Sequence, residues 1–540
     1  MRDDSKNPRG AIACGHPATA AAAQEMLDEG GTAFDAALAA LCAATVAEPV
    51  LCSLAGGGFF MAWPDGQAPR LYDFFVQTPA ARPGDPQAAA DLDFYPVLVD
   101  FGTATQEFHI GLAAAATPGT VRGLFTVHRE LGSLPMRRIV EPAARLAREG
   151  VPLRPVDSYL FSVVGPILTA RADSSAAYTR PDGTLLREGD RITQPALAGT
   201  LEALAEEGDE LFHSGAIGQQ LVAACQQQGG LLTLDDLESY RVERRRPLER
   251  RYHGARIVTN APPSTGGILI AFALALLDGL DPARLGFGSA GHIALLTEVM
   301  ALTNRARVEA RLDEAASAAE EQAAARRILD EALLARYACE IRGHPPSLNG
   351  TTHISVVDND GNIAALSLSN GEGCGYVLPG TGVMLNNMLG EADLNPGGFH
   401  GWARSSRLAS MMAPTIALLA DGGVVALGSG GSNRIRTAIL QVLVNLIDFA
   451  MTPEQAVTAP RLHFEEGIAN VEAGFPEGAS LAALQSETIR PLIERSIAWP
   501  RHNLFFGGVH AVARGRDGRL AAAGDPRRGG AALVLQRPPG

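Results

Sequence analysis

The stretch NGTTHISVVD, Asn349–Asp358, carries the strongest single signal in the chain. A polar segment ending at Gly350 runs into alternating apolar residues, which is typical of a β-strand, and the strand opens with Thr351 and Thr352. A hydroxyl on the first residue of a strand becomes a nucleophile if the chain is cut just before it, because the freed α-amine can act as its base. That amine has a pKa of about 8, so part of it is unprotonated near neutral pH. Threonines also favour strands for purely structural reasons, so the wider sequence has to decide between the two interpretations.

Composition narrows the class of protein. The 540 residues are 46% hydrophobic and 19% charged, which predicts a globular chain with a large core. The net charge is −14 and no Lys/Arg-rich tract occurs, which argues against nucleic acid as a partner. No run of 18 or more apolar residues occurs, so we expect no membrane span. The charged start, Met1–Lys6, is not followed by an apolar stretch, which predicts a cytoplasmic protein, or an exported one whose start has been trimmed.

The cysteines do not form a metal-binding or disulfide pattern. Their spacing is scattered and contains no CxxC pair, so we expect neither a zinc site nor a disulfide framework. Cys374 lies in a glycine-rich loop without an evident histidine partner, and is interpreted as a small loop residue rather than a reactive thiol. The six are Cys14, Cys42, Cys52, Cys225, Cys339 and Cys374.

The chain before Thr351 is predicted to be mostly helical. One helix starts at His16-Pro17 and stops at Gly30-Gly31, where glycine suits a helix end. Glycines at 56–58 then precede an apolar strand. Further predicted elements are a helix over Ala33–Ala47, the strand Phe59–Trp63, a long helix over Ala316–Ile341 and an irregular linker over Arg342–Gly350.

The chain after Thr351 is predicted to be rich in strands. Alternating segments around short polar turns indicate three β-hairpins, and two helices lie between the second and the third. We therefore predict an α+β protein divided into a large segment, 1–350, and a small segment, 351–540. The hairpins cover His353–Ser369, Pro414–Leu427 and His510–Ala523, and the helices start at Ile435 and at Thr452, which opens a capping box.

Motifs along nearly the whole chain resemble the γ-glutamyltransferase (glutathione hydrolase) family of N-terminal-nucleophile hydrolases. Each motif alone is weak, but their order and spacing together make the resemblance strong. They are Gly30–Ala37, Glu48-Pro49, Gly56–Phe59, Thr117–Val121, Glu141–Ala143, Ala261–Gly267, Thr351–Asp358, Leu385–Asn387, Pro414–Ile416, Gly428–Arg434 and Asp525–Arg527.

The resemblance implies a proenzyme with an αββα sandwich fold that cuts itself between Gly350 and Thr351. The large and small subunits from the one precursor stay together, and Thr351 is the nucleophile of both self-cleavage and turnover. Its hydroxyl attacks the carbonyl of a small-molecule amide, and water or an acceptor amine then releases the acyl group. No metal or organic cofactor is implied.

The resemblance also assigns supporting residues. Backbone N–H groups of Gly430 and Gly431 match the donors that stabilise the oxyanion, and Ser432 could supply one of the two. Ser369 and Asn370 match positions that steady the nucleophile and contact substrate, although Ser369 would also serve simply as a strand end.

The residues that hold a γ-glutamyl group depart from the family pattern. The arginine that binds its α-carboxylate falls on Phe75, and the Gln or Glu that binds its α-amine falls on Met388. Glu391 occupies the second amine-binding position. Of the two serines near the carboxylate, one is Ala409 and the other is Ser410. The lost cation could be supplied from elsewhere, by Arg404, Arg407 or Arg434, although each is equally suited to a structural role.

Three functions remain open at this point. The first is hydrolysis or transfer of γ-glutamyl groups from compounds such as glutathione, which the whole-chain resemblance favours. The second is the same chemistry on another acyl group, as in cephalosporin acylases or oxamate amidohydrolases, which Phe75 and Met388 favour because they suggest a more apolar pocket. The third is an unprocessed, non-catalytic binding protein, which would remain a single chain.

Overall fold

The computed structural model describes residues 8–85, 91–100, 105–310, 312, 318–330, 333–334, 337, 351–395 and 398–536. They form two compact units, and each contains segments from before and after Thr351. The Thr351 unit consists of described residues within 16–245 and 351–408. The Gly430 unit consists of described residues within 8–15, 246–337 and 409–536.

Helices and strands alternate irregularly along the described residues, and every sheet except one contains antiparallel pairs only, as expected for an α+β fold. The described helices α1 to α18 are Pro17–Asp28, Ala33–Ala47, Thr120–Leu131, Met136–Glu149, Pro155–Val163, Gly165–Leu168, Ala172–Tyr178, Pro195–Glu207, Glu210–His213, Ala216–Gln228, Leu234–Ser239, Thr265–Leu277, Pro282–Leu285, Ala290–Glu309, Ala318–Ile328, Arg434–Ile447, Pro453–Thr458 and Ala479–Leu484. The described strands β1 to β22 are Pro8–Cys14, Gly57–Trp63, Arg70–Asp73, Tyr95–Asp100, Thr105–Ile110, Val151–Pro152, Arg191–Ile192, Glu243–Arg245, Leu248–Tyr252, Ala255–Thr259, Thr352–Asp358, Ile363–Ser369, Val377–Leu378, Val383–Met384, Thr415–Leu418, Val424–Gly430, Leu462–Glu465, Ile468–Glu472, Arg495–Trp499, Gly508–Arg514, Leu520–Ala523 and Ala531–Gln536.

The Thr351 unit is built around antiparallel strands in the order β11-β12-β2-β3-β8. Helix α2 packs on β11 and β12 and is buried along its whole length. Its start is fixed by a capping box, in which Thr32 and Asp35 satisfy each other's backbone N–H groups. The carboxylate of Asp35 also accepts hydrogen bonds from Ser133 and Leu134, so the helix start is tied to the loop before α4.

The Gly430 unit contains a six-stranded antiparallel sheet in the order β21-β20-β16-β15-β10-β9, and a separate antiparallel pair, β1 and β22. Helix α16 packs on β16 and β20. A buried ionic network connects residues 461–472 with residues 525–527. Arg461 pairs with Asp525 at 2.7 Å, and Arg527 pairs with Glu472 at 2.5 Å. Each of these charges has an opposite partner, which is the condition for burying it at tolerable cost.

Most sequence predictions of local elements are confirmed. Helices α1 and α2, strand β2, the three hairpins and the capping box at Thr452 all occur near their predicted bounds. The long helix predicted over Ala316–Ile341 is wrong, because α15 ends at Ile328 and Asp330 is not helical. The predicted linker Arg342–Gly350 lies outside the described residues. No helix among the described residues is long and apolar enough to cross a bilayer.

Candidate active site

The register of the Thr351 unit's sheet determines the neighbours of Thr351. Strand β11 begins at Thr352 and pairs with β12 so that Thr352 lies opposite Leu368 and His353 lies opposite Ser367. Continuing this register by one residue sets Ser369 opposite Thr351, and Ser369 in turn lies opposite Gly57 of β2. Thr351 itself is buried, with 4% of its surface exposed. The structure therefore brings the predicted partner Ser369 to Thr351, and its role in steadying the nucleophile stays a prediction.

A histidine fixes the strand just beyond Thr351. His353 shares a face of β11 with Thr351, because side chains two residues apart point to the same side. Its ring lies between two hydroxyls, with Nδ1 2.8 Å from the Ser367 oxygen and Nε2 2.9 Å from the Ser355 oxygen. All three side chains are completely buried. Sequence reasoning missed this network, although the residue follows the two threonines directly.

The opposite face of β11 is held by a buried acid. Thr352 donates a 2.8 Å hydrogen bond from its hydroxyl to the Glu48 carboxyl, and Thr19 donates another at 3.2 Å. Glu48 ends helix α2, so it connects the helical layer to the start of β11. Burial raises the pKa of Glu48 to about 7, and the hydrogen bond from Thr352 opposes that rise. Glu48 belongs to the motif Glu48-Pro49, but its contact with Thr352 was not predicted from the sequence.

The loop that follows Ser369 approaches Glu391 closely at Gly371. The backbone N–H of Gly371 donates to the Ser369 hydroxyl at 3.2 Å. A Cβ added at Gly371 would lie only 2.1 Å from the Glu391 carboxylate, so glycine is required for this approach. The side-chain oxygen of Asn370 is buried and accepts no hydrogen bond from the described residues. Gly371 therefore links Ser369 to Glu391, and the substrate-binding roles of Asn370 and Glu391 stay predictions.

Met388 lies in a short 3₁₀ turn, Met388–Gly390, directly before Glu391. Its side chain is buried, with 1% exposed, and carries no group that can bind an amine. The Asn395 amide donates to the carbonyl oxygens of Met388 and Glu391 at 2.9 and 2.8 Å, which fixes the turn.

Phe75 lies over the same face of the sheet as Thr351. The Cβ of a residue at position 57 would be 2.9 Å from the Phe75 Cα, and Gly57 is the neighbour of Ser369. The Phe75 ring stacks on Phe59 with 5.6 Å between ring centroids, and only 1% of Phe75 is exposed. The position at which the family has an arginine is therefore filled by a ring packed against another ring.

Arg407 contacts this position, but its guanidinium is already engaged. It donates to the carbonyl oxygen of Phe75 and, at 2.7 Å, to that of Arg241. It also lies 3.5 Å from the Asp73 carboxylate and 4.6 Å above the Tyr240 ring. Arg404 pairs with Asp85 at 2.9 Å, and Arg434, in the Gly430 unit, covers the Phe505 ring at 4.3 Å. These contacts favour the structural interpretation of all three.

The glycine pair of the Gly430 unit lies where β16 turns into α16. Gly430 is the last residue of β16 and lies opposite Gly508, and Gly431 has a φ of +118°, which favours glycine. The Ser429 hydroxyl donates to the Gly430 carbonyl at 2.8 Å and so fixes the turn. Ser432 also has a positive φ, of +51°. The assignment of this turn to oxyanion stabilisation stays a prediction.

Ser410, also in the Gly430 unit, is engaged locally. Its hydroxyl accepts a 3.0 Å hydrogen bond from the Met412 N–H, and its carbonyl oxygen accepts one from the Ser264 hydroxyl at 2.9 Å. Gly350, the residue before the predicted cleavage point, lies outside the described residues. Among the described residues, no group of three His, Cys, Asp or Glu side chains is arranged to share a metal ion.

Comparison with known proteins identifies the family. A family model described as Gamma-glutamyltranspeptidase matches residues 19–535. The chain is 33% identical to Acylase ACY 1 proenzyme of Pseudomonas sp. (strain V22), over 98% of this chain and 94% of that one. It is 31% identical to the glutathione hydrolase proenzyme of Escherichia coli (strain K12), over 93% of this chain and 88% of that one.

A solved structure supports the same fold. The cephalosporin acylase from Bacillus halodurans superposes with a TM-score of 0.82 at 22% identity, covering 99% of this chain and 98% of that one. The α+β class predicted from the sequence is confirmed, together with the N-terminal-nucleophile hydrolase fold. This chain therefore belongs to the γ-glutamyltranspeptidase family of N-terminal-nucleophile hydrolases, which includes both acylases and glutathione hydrolases.

Proposed function

We propose that this protein is an autoprocessing amidohydrolase in which Thr351, freed by cleavage after Gly350, attacks an amide carbonyl. The main support is the position of Thr351 immediately before β11 and, by register, opposite Ser369. The hydrogen-bonded pair His353 and Ser367 and the contact between Thr352 and Glu48 hold both faces of that strand start. Such preorganisation is what a nucleophile needs to attack without rearrangement.

The proposed reaction transfers protons through the Thr351 α-amine. The amine takes the hydroxyl proton as the oxygen bonds to the carbonyl carbon, and gives it to the departing amine as the amide C–N bond breaks. The acyl-enzyme is then attacked by water, or by an acceptor amine in a transfer reaction, and Thr351 leaves as the alcohol. We assign the developing oxyanion to backbone N–H groups of Gly430 and Gly431, with Ser432 as the alternative donor.

For the substrate, we propose an amide whose acyl group lacks the glutamyl α-carboxylate. The supporting observation is the buried stack of Phe75 on Phe59 where the family has an arginine, together with the uncharged Met388. A relative named as an acylase, 33% identical, is consistent with this. The second candidate is γ-glutamyl hydrolysis or transfer. It is favoured by the Glu391 carboxylate beside the loop after Ser369, and by the relative named as a glutathione hydrolase.

Self-cleavage is tested by intact mass and N-terminal sequencing. We expect the purified protein to consist of two pieces, the smaller beginning at Thr351. Thr351→Ala removes the hydroxyl and should leave one chain, whereas Thr351→Ser keeps a hydroxyl and should still be cut, more slowly. An uncut wild-type chain, under all conditions tested, would favour the non-catalytic binding protein instead.

The substrate is tested by two anilides that differ only in the α-carboxylate. Loss of one charged hydrogen bond typically costs about 1.5–3 kcal/mol, a ten- to hundredfold change in rate or affinity. An enzyme with the family's clamp should therefore prefer γ-glutamyl-p-nitroanilide over 4-aminobutanoyl-p-nitroanilide by about that factor. We expect a kcat/KM ratio near one for this chain. A large preference for the γ-glutamyl compound would reject our assignment in favour of the second candidate.

A further inference from the structure

Loop residues 398–402 of the Thr351 unit lie along the chain between contacts with the two halves of the altered acyl clamp. At one end, Asn395 is bonded to the carbonyl oxygens of Met388 and Glu391. At the other end, the Thr78 hydroxyl donates to the Ala403 carbonyl at 2.6 Å. Thr78 follows Phe75 by three residues, and the Ser406 N–H donates back to its hydroxyl at 2.8 Å. The described residues between these two attachments, 398–402, therefore border the region where an acyl group is expected.

Five aromatic side chains cluster on this loop and on the neighbouring chain, and we call them the aromatic wall. The Phe94 ring stacks on His109 at 4.6 Å and contacts Phe399 and His400 at 5.4 and 4.5 Å, all between centroids. The wall is completed by Trp402, 5.3 Å from His400. Only Trp402 is fully buried, and the other four rings keep part of their surface exposed.

The aromatic wall adjoins the predicted substrate residues directly. A Cβ built on Gly390 would lie 1.9 Å from the His109 carbonyl oxygen, so the turn Met388–Gly390 is pressed against β5. His400 adopts a φ of +65°, which is unfavourable for a side chain that is not glycine. Such conformations persist where the surrounding structure imposes them, and they are common at ligand-binding sites.

The two histidines of the aromatic wall and the predicted substrate residues beside it favour a neutral ligand. Burial lowers the pKa of His109 and of His400 from 6.5, more than Glu107 raises that of His109, so both rings are uncharged near neutral pH. Phe75 and Met388 are also uncharged. Among the predicted substrate residues, the acid is Glu391, which would repel an acyl group that ends in a carboxylate.

Three ring nitrogens of the aromatic wall are available for hydrogen bonds to a ligand. Nε1 of Trp402 and Nδ1 of His109 and His400 are buried and have no hydrogen-bond partner among the described residues. An indole N–H is a donor only, and buried donors are normally satisfied. A heteroatom on an aromatic ligand would satisfy such a group while the ring itself stacks.

We propose that the aromatic wall is the acyl-side subsite of this enzyme and that it receives a neutral aromatic or heteroaromatic group, as in an arylacetyl amide. This inference rests on the proposed function, because it names the substrate class of the Thr351 site. Aromatic pairs contribute beyond the area they bury and prefer offset or edge-to-face contacts, which the partly exposed rings of the wall can offer.

The test compares acetyl-, phenylacetyl- and glutaryl-p-nitroanilide with the processed enzyme. We expect kcat/KM for phenylacetyl to exceed that for acetyl by at least about tenfold, and glutaryl to be the poorest. Phe94→Leu and Trp402→Leu should each lower the ratio of the phenylacetyl to the acetyl kcat/KM by about three- to tenfold. Tyr159→Leu, which removes an exposed aromatic residue elsewhere in the unit, is the matched control and should change neither.

Folding and catalysis are checked separately from the subsite. Cleavage before Thr351 in each variant shows that the fold has survived. Calorimetry with the processed wild type and the two processed variants then measures binding of phenylacetone against acetone, which have no amide bond to hydrolyse. If binding of the aromatic ligand depends on Phe94 and Trp402 but the wild type hydrolyses none of the anilides, the subsite is supported and the proposed hydrolase function is rejected. Equal kcat/KM for acetyl and phenylacetyl, unaffected by the two variants, would overturn the subsite and leave the hydrolase standing.

Discussion

At the scale of single residues, we expect that an arginine introduced at Phe75 would not rebuild the family's carboxylate clamp. The ring is 1% exposed and stacks on Phe59, and the cation beside it, Arg407, is held by backbone carbonyls and by Asp73. Phe75→Arg would bury a second guanidinium next to the first. We expect a loss of at least about 3 kcal/mol in the free energy of unfolding, because an unpaired buried charge is costly. Thermal unfolding of both proteins measures it.

Phe75→Leu is the matched control for this prediction. It removes the stacking but keeps an apolar side chain, so it should cost less than the charged substitution. Neither variant should gain activity on γ-glutamyl-p-nitroanilide. A Phe75→Arg protein that is as stable as wild type and hydrolyses this anilide faster would contradict our account, and would mean that the pocket still accommodates the carboxylate clamp.

At the scale of elements, the sequence was most informative where a proline, a glycine or a turn marks a boundary. His16-Pro17 and Gly30-Gly31 placed the two ends of α1 closely, Pro49 placed the end of α2, and Asn359-Asp360-Gly361 correctly indicated the turn between β11 and β12. The pairing of β12 with β2 joins residues about 300 positions apart, and no local pattern encodes it. That pairing is what puts Gly57 and Phe59 beside Ser369 and Ser367. The family resemblance could therefore name Phe75 as a site position without revealing that its ring is stacked.

The junction of α2 with β11 gives a pH-dependent prediction. Burial raises the pKa of Glu48 from 4.5 to about 7, and the groups facing it are Thr19, Thr352, Arg154 and Asp157. Between these two pH values, the folded protein holds a proton that the unfolded chain has released. Glu48 therefore contributes stability that is complete below about pH 4.5 and is lost as pH rises through 7, amounting to about 3 kcal/mol. We expect Glu48→Gln to unfold at a higher temperature than wild type at pH 8.

The measurement is the difference in unfolding midpoint between pH 5 and pH 8. It should be smaller in Glu48→Gln than in wild type, since glutamine cannot ionise. Glu207→Gln makes the same change of charge at an exposed position and should leave the wild-type difference intact. If the two variants behave alike, Glu48 is not the titrating group. If cleavage before Thr351 also slows in Glu48→Gln, the carboxyl helps to position the start of β11.

At the scale of the whole molecule, the burial of the described cysteines predicts that their thiols are unreactive. All five described cysteines are buried and none forms a disulfide; they are Cys14, Cys42, Cys52, Cys225 and Cys374. Burial raises the pKa of Cys42, Cys225 and Cys374 to about 12. Because the thiolate is the reactive form, these thiols should be inert in the folded protein. This agrees with the sequence interpretation of Cys374 as a small loop residue.

Thiol titration with Ellman's reagent at pH 8 tests this prediction across both units. The chain has six cysteines, and the sixth, Cys339, lies outside the described residues. We expect at most one thiol to react quickly in the native protein and all six to react after denaturation. In Cys339→Ser, the fast reaction should disappear. Two or more fast-reacting thiols in the native protein would mean that solvent reaches at least one of the described cysteines. Cys374, in the Gly371–Gly375 loop, would then have to be reconsidered as a reactive group beside the acyl site.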